Sequence, residues 1–191
     1  MKKLSTLITI LLGASSLFAV SHLQFGPSAT ANYELSGDED LQKVLGDVDN
    51  YTYGGDARLT ISKYQLTGLA QMKVSGDTTY LHTNISLNYV FFHGKMLNVT
   101  LGLGPRCVLA TDNWEEWDIG NGSGGTYDSF LDVLKESNIT YRVGANFSLL
   151  GLGVGVAYYL PADASFSHPD KSWLPDFDEG SVSFSLLFGI L

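Results

Sequence analysis

Cysteine occurs once, at Cys107, so no internal disulfide can staple the chain. Outside the first residues there is no run of roughly 18 consecutive apolar residues, which excludes a helical membrane span. Charged residues make up only 16% of the chain, and the positive half is the thinner one: 11 Lys and Arg stand against 20 Asp and Glu, a net charge of −9. Catalytic and cofactor motifs are missing too. The sequence holds no Walker-type phosphate loop, no HExxH, no CxxC and no GxSxG. His22, His82, His93 and His168 are scattered and form no ligand cluster, and no Ser–His–Asp arrangement can be assembled. The expectation is a protein that is not an enzyme and needs no cofactor and no metal.

Glycine (21 residues), tyrosine (10) and phenylalanine (10) are abundant, a leaning towards β structure. The chain opens MKKLSTLITILLGASSLFAVS. Lys2 and Lys3 form a basic region, Leu4 to Phe18 is apolar with small residues, and Ala19-Val20-Ser21 reads as a small-x-small cleavage site. Residues 1–21 are therefore read as a secretory signal peptide. The apolar run is short of the ~20 residues a spanning helix needs. Residues 22–191 are read as one domain.

The mature chain alternates. In ITYRVGANFSL, Ile139, Tyr141, Val143, Ala145, Phe147 and Leu149 share one parity, and Thr140, Arg142, Gly144, Asn146 and Ser148 share the other. Successive side chains of a strand point to opposite faces, so this is a strand with one apolar and one polar side. The pattern recurs over His22–Leu35, Tyr53–Ser62, Gln65–Ser75, Tyr80–Phe91, Leu97–Leu109, Leu152–Leu160 and Ser181–Leu191. Eight strands result, close to the roughly 9–11 residues of a tilted membrane strand. Connections two, four and six are tight turns. The third, Gly76-Asp77-Thr78, is short. The first, fifth and seventh are long loops at 36–52, 111–138 and 161–180. Short turns at one end and long loops at the other are the habit of outer-membrane barrels.

Alternation also fits a secreted soluble barrel with an apolar cavity. Four features favour lipid on the outside. The polar parity is mostly Gly, Ser, Thr, Asn and Ala, too bland for a water-facing surface of ~25–35% charge. Of the 20 acids only Glu34 and Asp56 fall within these strands, and no charge falls on the apolar parity. Tyr33, Tyr51, Tyr53, Tyr141 and Tyr158 mark the loop ends of the apolar faces, while Phe25, Phe91, Phe147 and Phe188 mark the turn ends, as two interfacial girdles. The chain also ends inside a strand. The fold class expected is all-β, an eight-stranded antiparallel up-and-down transmembrane barrel.

With eight strands, a leader and this loop asymmetry, the mature chain resembles the small outer-membrane barrels of the OmpX, OmpW and OmpA-transmembrane type. The stretches GGDARLTISKYQLTGLAQM (Gly54–Met72) and LNVTLGLGPRCVL (Leu97–Leu109) are similar in texture to spirochaetal, treponeme-type barrels. The resemblance implies insertion into a bacterial outer membrane, surface-exposed loops and no catalytic residue set. Members range from adhesion and defence proteins to narrow conduits for hydrophobic molecules.

Several residues stand out against this frame. Glu34, Asp56, Arg58, Lys73, Arg106 and Arg142 share the lumen-facing parity. They read either as a polar path with a basic surplus or as an internal network that plugs the barrel. The second reading is favoured because eight strands leave little room inside. The long loops are acidic, densest at Asp112–Asp118, where Trp114, Glu115, Glu116, Trp117 and Asp118 are interaction candidates together with Trp173 in the last loop. The tryptophans read as hot-spot anchors or, preferably, as anchors at the membrane edge. Loop carboxylates offer oxygen ligands for Ca²⁺, but the spacing is not that of an EF-hand, and a solvated acidic face is the plainer reading. Two loop pieces read as short helices, with Leu41, Val44 and Leu45 on one face of the first and Phe130, Leu131 and Leu134 together on the second. Cys107 has lipid-facing parity and is expected to be inert. The partners implied are outer-membrane lipid and an extracellular or host ligand met through the loops, with no nucleic acid, for a monomer. The function read from the sequence is a surface-exposed, adhesin-like interaction protein. The alternatives are a narrow conduit for small hydrophobic molecules, with Pro105 interrupting strand pairing, and the soluble ligand-binding barrel.

Overall fold

A computed structural model describes residues 22–33, 41–47, 50–75, 78–94, 96–111, 118–120 and 130–190. The leader, Glu34 and the stretch from Asp112 to Trp117 lie outside them. The elements are β1 (His22–Asn32), α1 (Leu41–Gly46), β2 (Tyr51–Ile61), β3 (Tyr64–Ser75), β4 (Thr78–His93), β5 (Leu97–Thr111), β6 (Asp118–Gly120), α2 (Phe130–Glu136), β7 (Asn138–Leu149), β8 (Leu152–Ser165) and β9 (Ser181–Ile190).

Around the wall each long strand pairs antiparallel with its chain neighbour, and β1 pairs with β9 to seal the sheet. The result is a closed eight-stranded up-and-down barrel. Closure satisfies the backbone N–H and C=O groups that an open edge would leave unpaired in hydrocarbon. The three-residue β6, which alternation does not reveal, adds to the free upper flank of β5 through Val108–Ala110. It finds room there because β5 pairs with β7 only as far as Pro105 opposite Ile139.

The two parities separate as side-chain chemistry demands. On β4, Leu87 is 59% exposed and Ser86 is 0% exposed. Phe25, Leu66, Leu101, Val143, Phe147, Val154 and Leu186 form an exposed apolar belt, while Thr67, Thr100, Asn88, Asn146 and Arg142 are buried in the lumen. Apolar outside and polar inside is the arrangement of a transmembrane barrel. It is the inverse of the soluble barrel with an apolar cavity.

The tight turns lie at the end opposite the long loops. Leu150 and Gly151 connect β7 to β8 with φ values of 53° and 84°. Two successive left-handed residues in a two-residue hairpin match the twist of the flanking strands. Between β4 and β5 the register shifts between Val90 and Phe92. This bulge turns both Phe91 and Phe92 outwards and leaves Val90 inside. Strict alternation would have sent Phe92 inwards.

Several strands are longer than their alternating segments indicate. β4 has 16 residues and β5 has 15. At ~3.4 Å per residue and a tilt near 40°, such strands rise roughly 40 Å, well past an apolar band of about 25 Å. On β4 and β5 the strongly exposed apolar residues stop at Ile85 and Leu103. His82, Arg106 and the upper end of β8, which includes Asp163, stand beyond that belt on the loop side. No helix among the described residues is long and apolar enough to cross a membrane.

Candidate functional site

The lumen holds two tiers of charge. In the lower tier, Asp56 and Arg58 are two residues apart on β2 and therefore share its inner face. Asp56 Oδ2 accepts from Arg58 Nη2 at 2.6 Å, from Arg58 Nε at 3.0 Å and from the Ser185 hydroxyl at 2.7 Å. Arg58 Nη1 donates to Asn146 Oδ1 on β7. Arg142, also on β7, donates to Thr100 Oγ1 at 2.9 Å, to the Tyr159 hydroxyl at 3.2 Å and to Asn88 Oδ1 at 3.4 Å. Its guanidinium carbon also lies 5.8 Å from the centroid of the Tyr159 ring, within cation–π range. Both guanidinium groups are fully buried.

Glycine makes space for these groups. A Cβ at Gly155 would stand 2.6 Å from Arg58 Nη2, and one at Gly144 would stand 2.7 Å from Arg142 Nη1. The glycines that dilute the polar parity are thus the wall against which the two arginines lie flat. Asn88 extends the network to Thr67 and to the Gln65 carbonyl, each at 3.0 Å. Gln71 donates to Thr30 Oγ1 at 2.6 Å. Polar side chains fill the middle of the barrel from wall to wall.

The upper tier is different. Lys73, His82 and Arg106 face a cavity that opens towards the loops. Arg106 Nη2 lies 3.5 Å from His82 Nδ1, and no carboxylate is in ion-pair contact with Arg106 or Lys73 among the described residues. The cavity has a deeper compartment of about 100 Å³, over Gln71 and Asn84, and an outer one of about 440 Å³. His82 and Arg106 border both. Asp163, Asp176 and Glu179 line the outer compartment.

The six lumen charges read from the sequence are therefore not one network. Asp56, Arg58 and Arg142 belong to the plugged middle, Lys73 and Arg106 belong to the vestibule, and Glu34 lies outside the described residues. Parity placed them inside. It did not reveal Asn88, Asn146, Tyr159 and Ser185 as their partners. Tyr158 and Tyr159 are adjacent, which required one ring to turn inwards.

Among the loop candidates, Trp114, Glu115, Glu116 and Trp117 lie outside the described residues, and Asp118 is described only as backbone in β6. Trp173 is 42% exposed. Its indole N–H donates to the Pro169 carbonyl at 3.0 Å, and its own carbonyl accepts from the Tyr141 hydroxyl at 2.8 Å. Tyr141 has outward parity at the loop end of the apolar belt, so Trp173 sits beside the upper aromatic girdle. The β8–β9 loop around it is pinned by Ala164 N–H to the Ser172 carbonyl at 2.9 Å and by Asp176 N–H to the Pro161 carbonyl at 2.7 Å. It holds Phe166, Leu174 and Phe177 exposed at the surface.

Both loop helices form. The second buries Val133, at 0% exposure, leaves Leu134 half-buried and turns Leu131 outwards, so Leu131 does not share the packed face that spacing assigned to it, and the Phe130 side chain lies outside what is described. Cys107 is buried, with its sulfur 2.6 Å from the Thr83 hydroxyl. Among the described residues no group of three or more His, Cys, Asp or Glu side chains is placed to hold a metal ion.

No protein-family model and no curated protein matches the chain. Solved structures do resemble it. A designed transmembrane β-barrel is 13% identical, with 88% of this chain and 95% of that one covered and a TM-score of 0.43. Ail, the attachment invasion locus protein of Yersinia pestis, solved in complex with the heparin analogue sucrose octasulfate, is 12% identical, with the same coverage and a TM-score of 0.40.

Proposed function

We propose that this chain is a bacterial outer-membrane protein that works at the cell surface as an interaction protein, adhesin-like in its mode, and does not conduct. The observation that carries this reading is the polar plug. Arg58 bonds to Asp56 on its own strand and to Asn146 on the far wall, and Arg142 fills the adjacent space. A conduit for hydrophobic molecules needs an apolar passage, and Thr, Ser, Asn, Gln and Arg line this lumen. Pro105 does mark the upper limit of β5–β7 pairing, but β6 covers the freed flank of β5. With the interior closed, the surfaces left for recognition are the acidic loop end and its well-braced β8–β9 loop, which sets the exposed Phe166, Leu174 and Phe177 among Asp170, Asp176, Asp178 and Glu179.

Two measurements test this. Reconstituted into planar bilayers, the protein is expected to give no stepwise conductance; discrete openings overturn the closed lumen. Displayed on a bacterial surface, it is expected to confer adhesion to an extracellular matrix that is lost when residues 166–179 are replaced by a short Gly-Ser linker. Adhesion that survives the replacement places recognition elsewhere.

A further inference from the structure

The vestibule above the plug has the make-up of a binding site. It carries bases: Lys73 and Arg106 line the deeper compartment with no carboxylate in ion-pair contact among the described residues, although Glu179 attracts Arg106 at longer range, whereas Arg58 below them is paired with Asp56. Asn84 adds an unusual feature. It is 5% exposed and borders the cavity, yet neither its amide nitrogen nor its carbonyl oxygen has a hydrogen-bond partner among the described residues. The Thr140 hydroxyl, fully buried at the edge of the outer compartment, is unpartnered in the same way. Buried polar groups left unpaired cost free energy, and they occur where a ligand or water completes them.

The opposite sign is present as well, with Asp163, Asp176 and Glu179 lining the outer compartment that Arg106 also borders. The cavity therefore offers both signs of charge, with Lys73 on the deeper compartment, the three carboxylates on the outer one and Arg106 bordering both. A simple anion would meet the carboxylates as well as the bases, and a simple cation would meet Lys73 and Arg106 as well as the acids. A solute that carries both charges is attracted at each end. The outer compartment, about 440 Å³, far exceeds the ~10–15 Å³ that one water requires. It lies beyond the apolar belt, on the loop side of the barrel.

We propose that this vestibule binds a small zwitterion of amino-acid or dipeptide size. Its anionic group seats on Lys73 and Arg106 beside the Asn84 amide, and its ammonium faces Asp163, Asp176 and Glu179. The proposal rests on the closed lumen described above, which makes the vestibule a blind pocket.

The test is calorimetric titration of the protein in a non-ionic detergent with three matched probes: glycylglycine, N-acetylglycine, which lacks the ammonium, and glycinamide, which lacks the carboxylate. Glycylglycine is expected to bind at least about tenfold more tightly than either single-charge probe. Lys73→Gln and Glu179→Gln are each expected to weaken it by about tenfold. Both side chains are exposed, so these variants keep the barrel's gel mobility even if Arg106→Gln fails to fold. Equal affinity for N-acetylglycine, equal affinity for glycinamide, no saturable heat with glycylglycine, or indifference to Lys73→Gln would each overturn the proposal. Liposome efflux of glycylglycine keeps the two readings apart: efflux with retained binding overturns the closed lumen, and absent binding without efflux overturns the site.

Discussion

Arg58 and Asn146 join opposite walls of the barrel. β2 and β7 are separated by three strands in either direction around the sheet, so the bond between these side chains crosses the full width of the lumen. Asp56 and Ser185 fix the guanidinium from the near side. This strut anchors the polar plug, and its energetics can be measured.

Removing one partner of the strut leaves a buried charge uncompensated. Asp56→Ala is expected to destabilise the folded barrel by ~3–5 kcal/mol, whereas Asp56→Leu combined with Arg58→Met recovers most of that loss, because a well-packed apolar pair avoids the desolvation cost. Urea titrations of the protein in lipid vesicles give both values. A double variant as unstable as Asp56→Ala contradicts the assignment.

The glycine wall can be probed with one methyl group. Gly155→Ala places a Cβ against the Arg58 guanidinium and is expected to cost ~1–3 kcal/mol through overpacking. Gly68→Ala is the control, since nothing lies within 4 Å of its added Cβ. It is expected to leave the same urea midpoint unchanged.

Face assignment predicts an asymmetry between neighbours on β7. Val143→Arg puts a charge on the lipid face and is expected to cost ~2–4 kcal/mol, enough to impair insertion. Heat-modifiable gel mobility after refolding reads this out directly. Normal insertion of Val143→Arg would reverse the faces.

Trp173 provides an optical marker of depth. In a Trp114→Phe, Trp117→Phe background, its emission is expected to be blue-shifted in vesicles and quenched by labels near the headgroups more than by labels at chain ends. Quenching by aqueous iodide alone would detach the β8–β9 loop from the membrane edge.

The eight long strands were legible because burial imposes a period of two on every one of them, and Arg142 beside Val143 shows how sharply that period divides the faces. Three features were not. The bulge at Phe91–Phe92 breaks the period locally, and nothing in the neighbouring residues signals it. The heights of β4, β5 and β8 escaped because above the apolar belt the wall no longer has to alternate. The separation into plug and vestibule depends on which polar residue faces which across the lumen. Arg58 and Asn146 are 88 positions apart, a relation that strand parity does not encode.

The strut also bears on how long the folded protein lasts. Its two halves meet only once β1 has zipped to β9, because an unsealed sheet does not bring β2 across from β7. Before that moment Arg58 keeps Asp56 on its own strand but has no Asn146 opposite it, so the ion pair faces the bilayer interior incompletely bonded and a partly inserted sheet is a high-energy species. The same barrier stands in the way of unfolding: parting the seam breaks the Arg58–Asn146 bond and opens the Arg58–Asp56 pair to hydrocarbon. Such a barrel is protected by a slow escape rate as much as by its equilibrium stability, and it can persist at the cell surface long after synthesis.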